Sequence, residues 1–266
     1  VTSVPTVIRS RDNPTAKTLV ALAHSSRERK KTGLTVLDGI HLVDAFLNSG
    51  RKPEYVVVAE SSQHAIETVA LTGRLSDAGI GCSVLADALL AEASQLESPA
   101  TTMAVVRTPV SVSIPSDANA VLVLDNVQDP GNVGAMLRCA AAFAIPHALL
   151  GVGTAFAWSP KVLRAAQGAH FSLNIVEGAP VAEFLHRFGG ASIALVPNAA
   201  NATRLGDTDM RQPTAILVGN EGAGLSDDVL AAATQQVTIP MPGGMESLNA
   251  ASCGAIAMYE LSRQRQ

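Results

Sequence analysis

Ile239-Pro240-Met241-Pro242-Gly243-Gly244-Met245-Glu246-Ser247-Leu248-Asn249-Ala250-Ala251-Ser252-Cys253-Gly254-Ala255-Ile256-Ala257-Met258-Tyr259-Glu260 joins a strand end to a helix of small residues. Two prolines and two glycines after Ile239 forbid regular structure, because proline fixes φ and lacks a donor while glycine admits positive φ. Ser247 stands where it can cap the helix that follows. From Leu248 to Arg263 that helix is built mostly of small side chains. It cannot fill space by itself and must let another backbone come close. This is the pattern of a ligand-holding loop backed by an interface.

The strand that ends at Ile239 is the last of six. Val121–Leu124, Ala148–Leu150, Leu173–Val176, Ser192–Val196, Ala215–Val218 and Val237–Ile239 read as strands. Helical patterns lie between them at Asn132–Phe143, Pro160–Gln167, Val181–Phe188 and Asp227–Ala233. A continuous apolar run such as Val121-Leu122-Val123-Leu124 belongs to a parallel strand covered on both faces. The expectation for residues 120–266 is therefore an α/β domain, a C-terminal parallel sheet with helices on both faces. Ligands of such sheets sit beyond the carboxyl ends of the strands. That directs attention to the loops after Leu124, Val196, Val218 and Ile239.

Upstream, the Pro/Ser/Val-rich segment 109–119 reads as a linker. Residues 1–108 show strand patterns at 35–37, 54–59, 82–85 and from Val105, and helical patterns at 15–22, 39–47, 64–75 and 86–93. They form a smaller N-terminal α/β domain. Residues 98–102 are a break within it.

Of the 266 residues, 47% are hydrophobic and 16% charged, which suffices for a full core and excludes a disordered chain. Aromatic residues, at 3%, are too few for a row of base-stacking rings. The net charge of −4 conceals an asymmetry: residues 1–60 hold nine Lys and Arg against six Asp and Glu, the remainder ten against seventeen. The basic excess includes Arg27-Glu28-Arg29-Lys30-Lys31, either a phosphate-contacting patch or a solvated helix face. Cys82, Cys139 and Cys253 lack a CxxC spacing and a His partner, so neither a metal site nor a disulfide framework is expected, and the compartment is reducing. The stretch from Val1 to Pro5 lacks the features of a signal peptide, and no apolar run is long enough to span a bilayer. We expect a cytoplasmic protein with no membrane partner.

Three further loops compete with the opening stretch as sites. After the first strand of the large domain, Asp129-Pro130-Gly131 forms a turn, Asn132 can cap the next helix, and Arg138 follows six residues on, about 600° around the helix and so on another face. Gly151-Val152-Gly153 begins like a dinucleotide fingerprint but lacks the third glycine and reads as a turn. Gly219-Asn220-Glu221-Gly222-Ala223-Gly224 places a carboxylate among glycines. That disfavours an anion and suits a neutral or cationic ligand. Each loop also has a plain structural reading as a capped turn.

Taken together, the DPGNVG…R segment from Asn126 to Ala140, Leu217–Leu225 (LVGNEGAGL) and Ile239–Glu260 (IPMPGG…SLN…YE) resemble the SpoU (TrmH-type) family of RNA ribose 2′-O-methyltransferases, in the SPOUT class. The three ordered motifs span about residues 120–262. The resemblance implies a trefoil knot, S-adenosylmethionine as cofactor, and a homodimer with its sites at the subunit interface. It implies that residues 1–108, where Leu37-Asp38-Gly39-Ile40-His41-Leu42-Val43 is similar to the family's appended domain, bind the RNA substrate in a ribosomal-protein-like fold. It implies catalytic roles for Arg138, Asn132, Glu221, Ser247 and Asn249. The cofactor would be held by Gly219, Ile239, Leu248, Asn198, Leu217 and Met241, with no metal. Arg138 is either the general base or an electrostatic stabiliser. RNA contacts are expected from Arg27, Arg29, Lys30 and Lys31, with ribosomal RNA favoured over transfer RNA. The alternatives are a non-catalytic RNA-binding or assembly protein on the same scaffold and, from the partial GxG, a nucleotide-dependent oxidoreductase.

Overall fold

The computed structural model describes residues 7–94, 101–197 and 201–266. The chain divides into two compact units, residues 1–109 with 158–164, and residues 110–157 with 165–266.

The first unit runs α1 (Pro14–His24), α2 (Ser26–Thr32), β1 (Leu34–Asp38), α3 (Ile40–Asn48), β2 (Tyr55–Ala59), α4 (Ile66–Asp77), β3 (Cys82–Leu85), α5 (Asp87–Ala93) and β4 (Thr102–Arg107). Its sheet has the order β1-β4-β2-β3, with β4 antiparallel to both neighbours and β2 parallel to β3. Leu19, Leu22, Val36, Val57, Leu90 and Val105 form the core between the sheet and helices α1 and α5. α3 packs on β1 and β4, and α4 on β3. The basic run is helical, as one of its two sequence readings has it, and forms α2 as a helix separate from α1. Ser25 ends α1 and accepts the Glu28 N–H, which starts a second helix inside the basic run.

The second unit runs β5 (Ala120–Leu124), α6 (Pro130–Ala142), β6 (His147–Gly151), α7 (Pro160–Ala166), whose first residues group with the other unit, β7 (Asn174–Ala179), α8 (Val181–Arg187), β8 (Ala191–Leu195), β9 (Thr203–Arg204), β10 (Thr214–Val218), α9 (Asp227–Ala232), β11 (Gln235–Thr238) and α10 (Ala250–Gln264). The sheet order is β7-β6-β5-β10-β8-β11-β9, and every pairing is parallel. The expected open parallel sheet is present. The two-residue edge strand β9 is an addition that is too short to pattern. Val121, Val123, Leu149, Ala215 and Leu217 face α8 and α9. α6 and α10 cover the opposite face, in contact with each other and with β6 and β10 respectively.

Two helix starts differ from expectation. α6 is capped by Asp129, whose Oδ1 accepts the Asn132 N–H at 2.8 Å, with Pro130 in the first turn. Asn132 is thereby released from capping. α10 is capped by Asn249 rather than Ser247: Asn249 Oδ1 accepts from Ala251 N at 2.8 Å and Ser252 N at 3.3 Å. The smallness of α10 is used within its own unit. A Cβ on Gly254 would lie 3.0 Å from Met136 Sδ and 3.5 Å from Val218 Cγ2, so glycine lets α10 approach both α6 and β10.

Candidate active site

A cavity of about 490 Å³ opens at the carboxyl ends of β8, β10 and β11, where the start of α10 closes one side. Its size falls in the range of roughly 300–1,000 Å³ of small-molecule sites. Val196 and Pro197 line it from the β8 end, Val218 to Glu221 from the β10 end, Ile239 and Met241 after β11, and Glu246 to Asn249 with Cys253 at the helix start.

The wall at β10 depends on one close approach. Gly219 is buried, and a Cβ there would fall inside contact distance of the Gly224 carbonyl and the Leu225 nitrogen, both backbone. The loop closes on itself through Asn220 N to Gly224 O at 2.8 Å and Gly224 N to Asn220 O at 2.9 Å. The Asn220 side chain fixes the turn from inside, with Oδ1 accepting from Gly222 N and Ala223 N. Its Nδ2 donates to the Asn126 carbonyl at 2.9 Å, which ties the β10 loop to the loop after β5. Asp125 adds a second tie by accepting from both the N–H and the hydroxyl of Ser226 at 2.8 and 2.7 Å.

Glu221 joins the same two loops from the cavity side. Its carboxylate accepts the Asn132 amide at 2.9 Å and the N–H groups of Gln128 and Asp129 at 3.3 and 3.2 Å. Burial works to raise this carboxyl, but the Asn132 amide and the backbone N–H groups outweigh it and hold it below the usual carboxylate range. The other end of the Asn132 amide is also committed: Oδ1 accepts from Asn249 Nδ2 at 2.9 Å. Glu221 can only accept, so it assigns Nδ2 of Asn132 to itself and leaves Oδ1 for Asn249. Asn249 in turn has its Oδ1 on the backbone of α10. Three loops distant in sequence meet in one directed chain, Glu221–Asn132–Asn249–α10.

Of the residues expected to act in catalysis, the structure brings Glu221, Ser247 and Asn249 to the cavity wall and links Asn132 to two of them. Arg138 stands apart. It is exposed on α6, does not line the cavity, and makes no hydrogen bond or ion pair among the described residues. Of the residues expected to hold a cofactor, Gly219, Ile239, Leu248 and Met241 line the cavity. Leu217 does not. Side chains alternate along a strand, and Leu217 points into the core beneath α8 and α9 while Val218 reaches the cavity side. Asn198 lies outside the described residues. The sequence reading passed over Val218, Val196, Pro197, Glu246 and Cys253. The carboxyl ends of β8 and β10 signalled the first three. Of the last two, Glu246 directly precedes the recognised Ser247–Asn249 and Cys253 lies about one helical turn after it. Cys253 has its thiol pushed up chiefly by burial, which makes it an unreactive wall.

Among the basic residues expected to meet RNA, Arg27, Lys30 and Lys31 are exposed on α2. Arg29 is not available. It is 6% exposed, and its guanidinium donates to the carbonyls of Leu22 and Ala23 at the end of α1.

Comparison with known proteins adds to this geometry. The model of the SpoU rRNA Methylase family matches residues 119–259, and that of the MRM3-like substrate binding domain matches residues 13–104. The 23S rRNA (guanosine(2553)-2′-O)-methyltransferase RlmP of Bacillus subtilis is 31% identical over 239 residues, covering 90% of this chain and 92% of its own length. A crystal structure of an RNA 2′-O ribose methyltransferase is similar with a TM-score of 0.82 and 30% identity, over 98% of this chain and 99% of that one. The SpoU methyltransferase AviRb from Streptomyces viridochromogenes, solved in complex with the cofactor AdoMet, gives a TM-score of 0.80 and 27% identity over 95% and 98% of the two chains.

Proposed function

The chain belongs to the SpoU rRNA methylase family, and on that premise we infer that it methylates a ribose 2′-hydroxyl of RNA, with S-adenosylmethionine as donor and ribosomal RNA as substrate. The observation that carries the reading is the Glu221–Asn132–Asn249 chain, which holds three family motifs together at the edge of one cavity.

The residues present fit the cofactor. Gly219, Gly222 and Gly224 bring backbone to the cavity wall, and Ile239, Leu248 and Val218 offer apolar surface to an adenosine. When bound, the cofactor supplies an activated methyl group. The chain must then place the weak nucleophile, a hydroxyl, in line with it, and such positioning contributes up to roughly 7–11 kcal/mol in well-oriented systems. The Asn132–Asn249 pair supplies held polar groups at the reacting end, and Ser247 adds a hydroxyl to the cavity wall beside them. Arg138 serves the substrate side. Guanidinium groups keep their protons in proteins, so its part is to stabilise the developing alkoxide rather than to remove the proton.

Residues 1–108 present the RNA-binding domain, with Arg27, Lys30 and Lys31 on one face of α2 as phosphate contacts. The active form is a homodimer. Support comes from an exposed stripe on α10, with Ile256 38% and Tyr259 55% exposed, extended by Phe143, which caps the end of α6 and whose ring meets that of Tyr259 edge-on at 6.0 Å. The trefoil knot remains part of this reading. It is supported by the insertion of β10 between β5 and β8 and by the bonds from Gln264 and Arg265 to the segment 208–212. An RNA substrate and three free cysteines fit the cytoplasm. No helix among the described residues is long and apolar enough to cross a membrane.

The test is transfer of labelled methyl from S-adenosylmethionine to ribosomal RNA, with the modified nucleotide mapped by its resistance to alkaline cleavage. Arg138→Ala should abolish transfer and leave cofactor affinity near wild type; near-normal transfer by that variant would sink its assignment. RNA binding without transfer favours the assembly role. Binding of a nicotinamide cofactor in place of S-adenosylmethionine would point to the oxidoreductase.

A further inference from the structure

Two carboxylates and no Lys, Arg or His line the cavity among the described residues. The two are in opposite states. Glu221 is saturated by three donors. Glu246 is exposed and makes no hydrogen bond or ion pair among the described residues. It directly precedes Ser247 and lies three residues before Asn249, the residue tied to Asn132. Glu246 lines the cavity together with Ser247 and Asn249, the residues that the reading above puts at the reacting end. Glu246 neither caps α10, which Asn249 does, nor belongs to the apolar wall of Ile239, Met241 and Leu248.

We propose that Glu246 is a specificity-determining residue that reads the positive charge of the sulfonium, and so separates the methyl donor from its spent product. The proposal rests on the cofactor reading above. The donor carries a cationic sulfur. On transfer the C–S bond breaks with its electron pair staying on sulfur, a C–O bond forms to the ribose oxygen, the hydroxyl proton leaves to solvent, and the sulfur becomes a neutral thioether. The attraction to Glu246 exists before transfer and is gone after it, so the same wall that helps load the donor gives no help to retaining the product. A preference of this kind needs a carboxylate not already neutralised by local donors, which is what distinguishes Glu246 from Glu221.

The test is calorimetry on the full chain, wild type and Glu246→Gln, with three probes. S-Adenosylmethionine carries the sulfonium, S-adenosylhomocysteine keeps the amino-acid charges without it, and methylthioadenosine has neither. At low salt Glu246→Gln should weaken S-adenosylmethionine about fivefold, as for opposite charges a few ångströms apart in a wet site. The other two probes should hardly change, and the wild-type preference for the donor should shrink as salt is added. Glu246→Asp should keep part of the preference. Equal weakening of all three probes would mean that Glu246 shapes the loop, and would overturn the proposal. Parallel weakening of the donor and S-adenosylhomocysteine alone would assign Glu246 to the ammonium and overturn it as well. An unchanged donor-to-product ratio also overturns it, with the cofactor reading intact. A wild-type chain that binds none of the three overturns the cofactor reading, and the proposal falls with it.

Discussion

Arg29 donates to the carbonyls of Leu22 and Ala23, two acceptors that the end of α1 leaves without helical partners. Its neighbours at positions 27, 30 and 31 fall on the other side of α2 and remain in solvent. Neutralising Arg27, Lys30 and Lys31 together should flatten the dependence of RNA affinity on salt by about two units of log–log slope, at about 0.7 per phosphate contact on single strands. Arg29→Ala should leave that slope alone and lower stability by about 1.5–3 kcal/mol, because charge-assisted bonds are lost from a buried position. Salt-dependent binding and urea unfolding measured on both variants check the division. His170 offers a second measurement on one side chain. It is fully buried with Nε2 at 2.8 Å from the Ala157 carbonyl, and burial holds it down to about 4 from its ordinary 6.5. The unfolded chain then binds a proton that the folded chain refuses between those two values. Stability is complete above 6.5 and falls as the pH drops through the window, with a slope approaching 1.4 kcal/mol per pH unit from this group. Urea titrations between pH 6.5 and 5 should show that slope in wild type and lose it in His170→Gln; an equal slope in both would show that His170 is protonated when folded.

The β10 loop and the start of α10 show how far sequence carries at the scale of elements. Gly219 and Gly222 look alike in the run from Gly219 to Gly224, yet they have different surroundings. A Cβ on Gly219 meets backbone atoms that cannot swing away, whereas one on Gly222 finds only the Asn220 side-chain oxygen, at 3.7 Å. Gly219→Ala should therefore cost about 1–3 kcal/mol and weaken cofactor binding, while Gly222→Ala should stay within about 0.5 kcal/mol of wild type. Thermal melts with and without S-adenosylmethionine would separate the two, and equal behaviour would mean that the loop relaxes around either methyl. The sheet strands were legible because runs such as Val121–Leu124 leave no other way to bury a continuous apolar stretch. The motif residues were legible because Gly, Asn and Glu at loop tips have few other uses. The caps were not. Asp129 and Asn132, like Ser247 and Asn249, are pairs of equally good cap formers, and the choice within each pair is made by the tertiary links to Glu221 and between the two asparagines. Leu217 was misplaced for a related reason: strand alternation says that Leu217 and Val218 face opposite ways, but only the packed helices say which face holds the cavity.

For the whole molecule, one copy leaves an account unfinished. Its cavity carries no cationic side chain among the described residues, and Arg138 lies on the exposed face of α6, one turn before the exposed Ala142. Ser252, Ile256, Tyr259 and Arg263 follow one another along the exposed side of α10, with the Tyr259–Phe143 ring contact joining the two helices. A twofold pairing on this surface would bury the stripe against itself, as isologous interfaces do, and would carry Arg138 with it. The proposed dimer thus predicts a site completed by a second copy. Ile256→Glu combined with Tyr259→Glu should give a monomer by light scattering that still binds S-adenosylmethionine and no longer methylates RNA. A sharper measurement mixes two inactive variants, Arg138→Ala with its cavity intact and Asn249→Ala with its arginine intact. If each site draws its arginine from the other copy, an equal mixture regains about a quarter of wild-type transfer, since half the dimers are mixed and each of those holds one complete site. If each copy uses its own arginine, a mixed dimer holds no site with both residues, and no transfer returns.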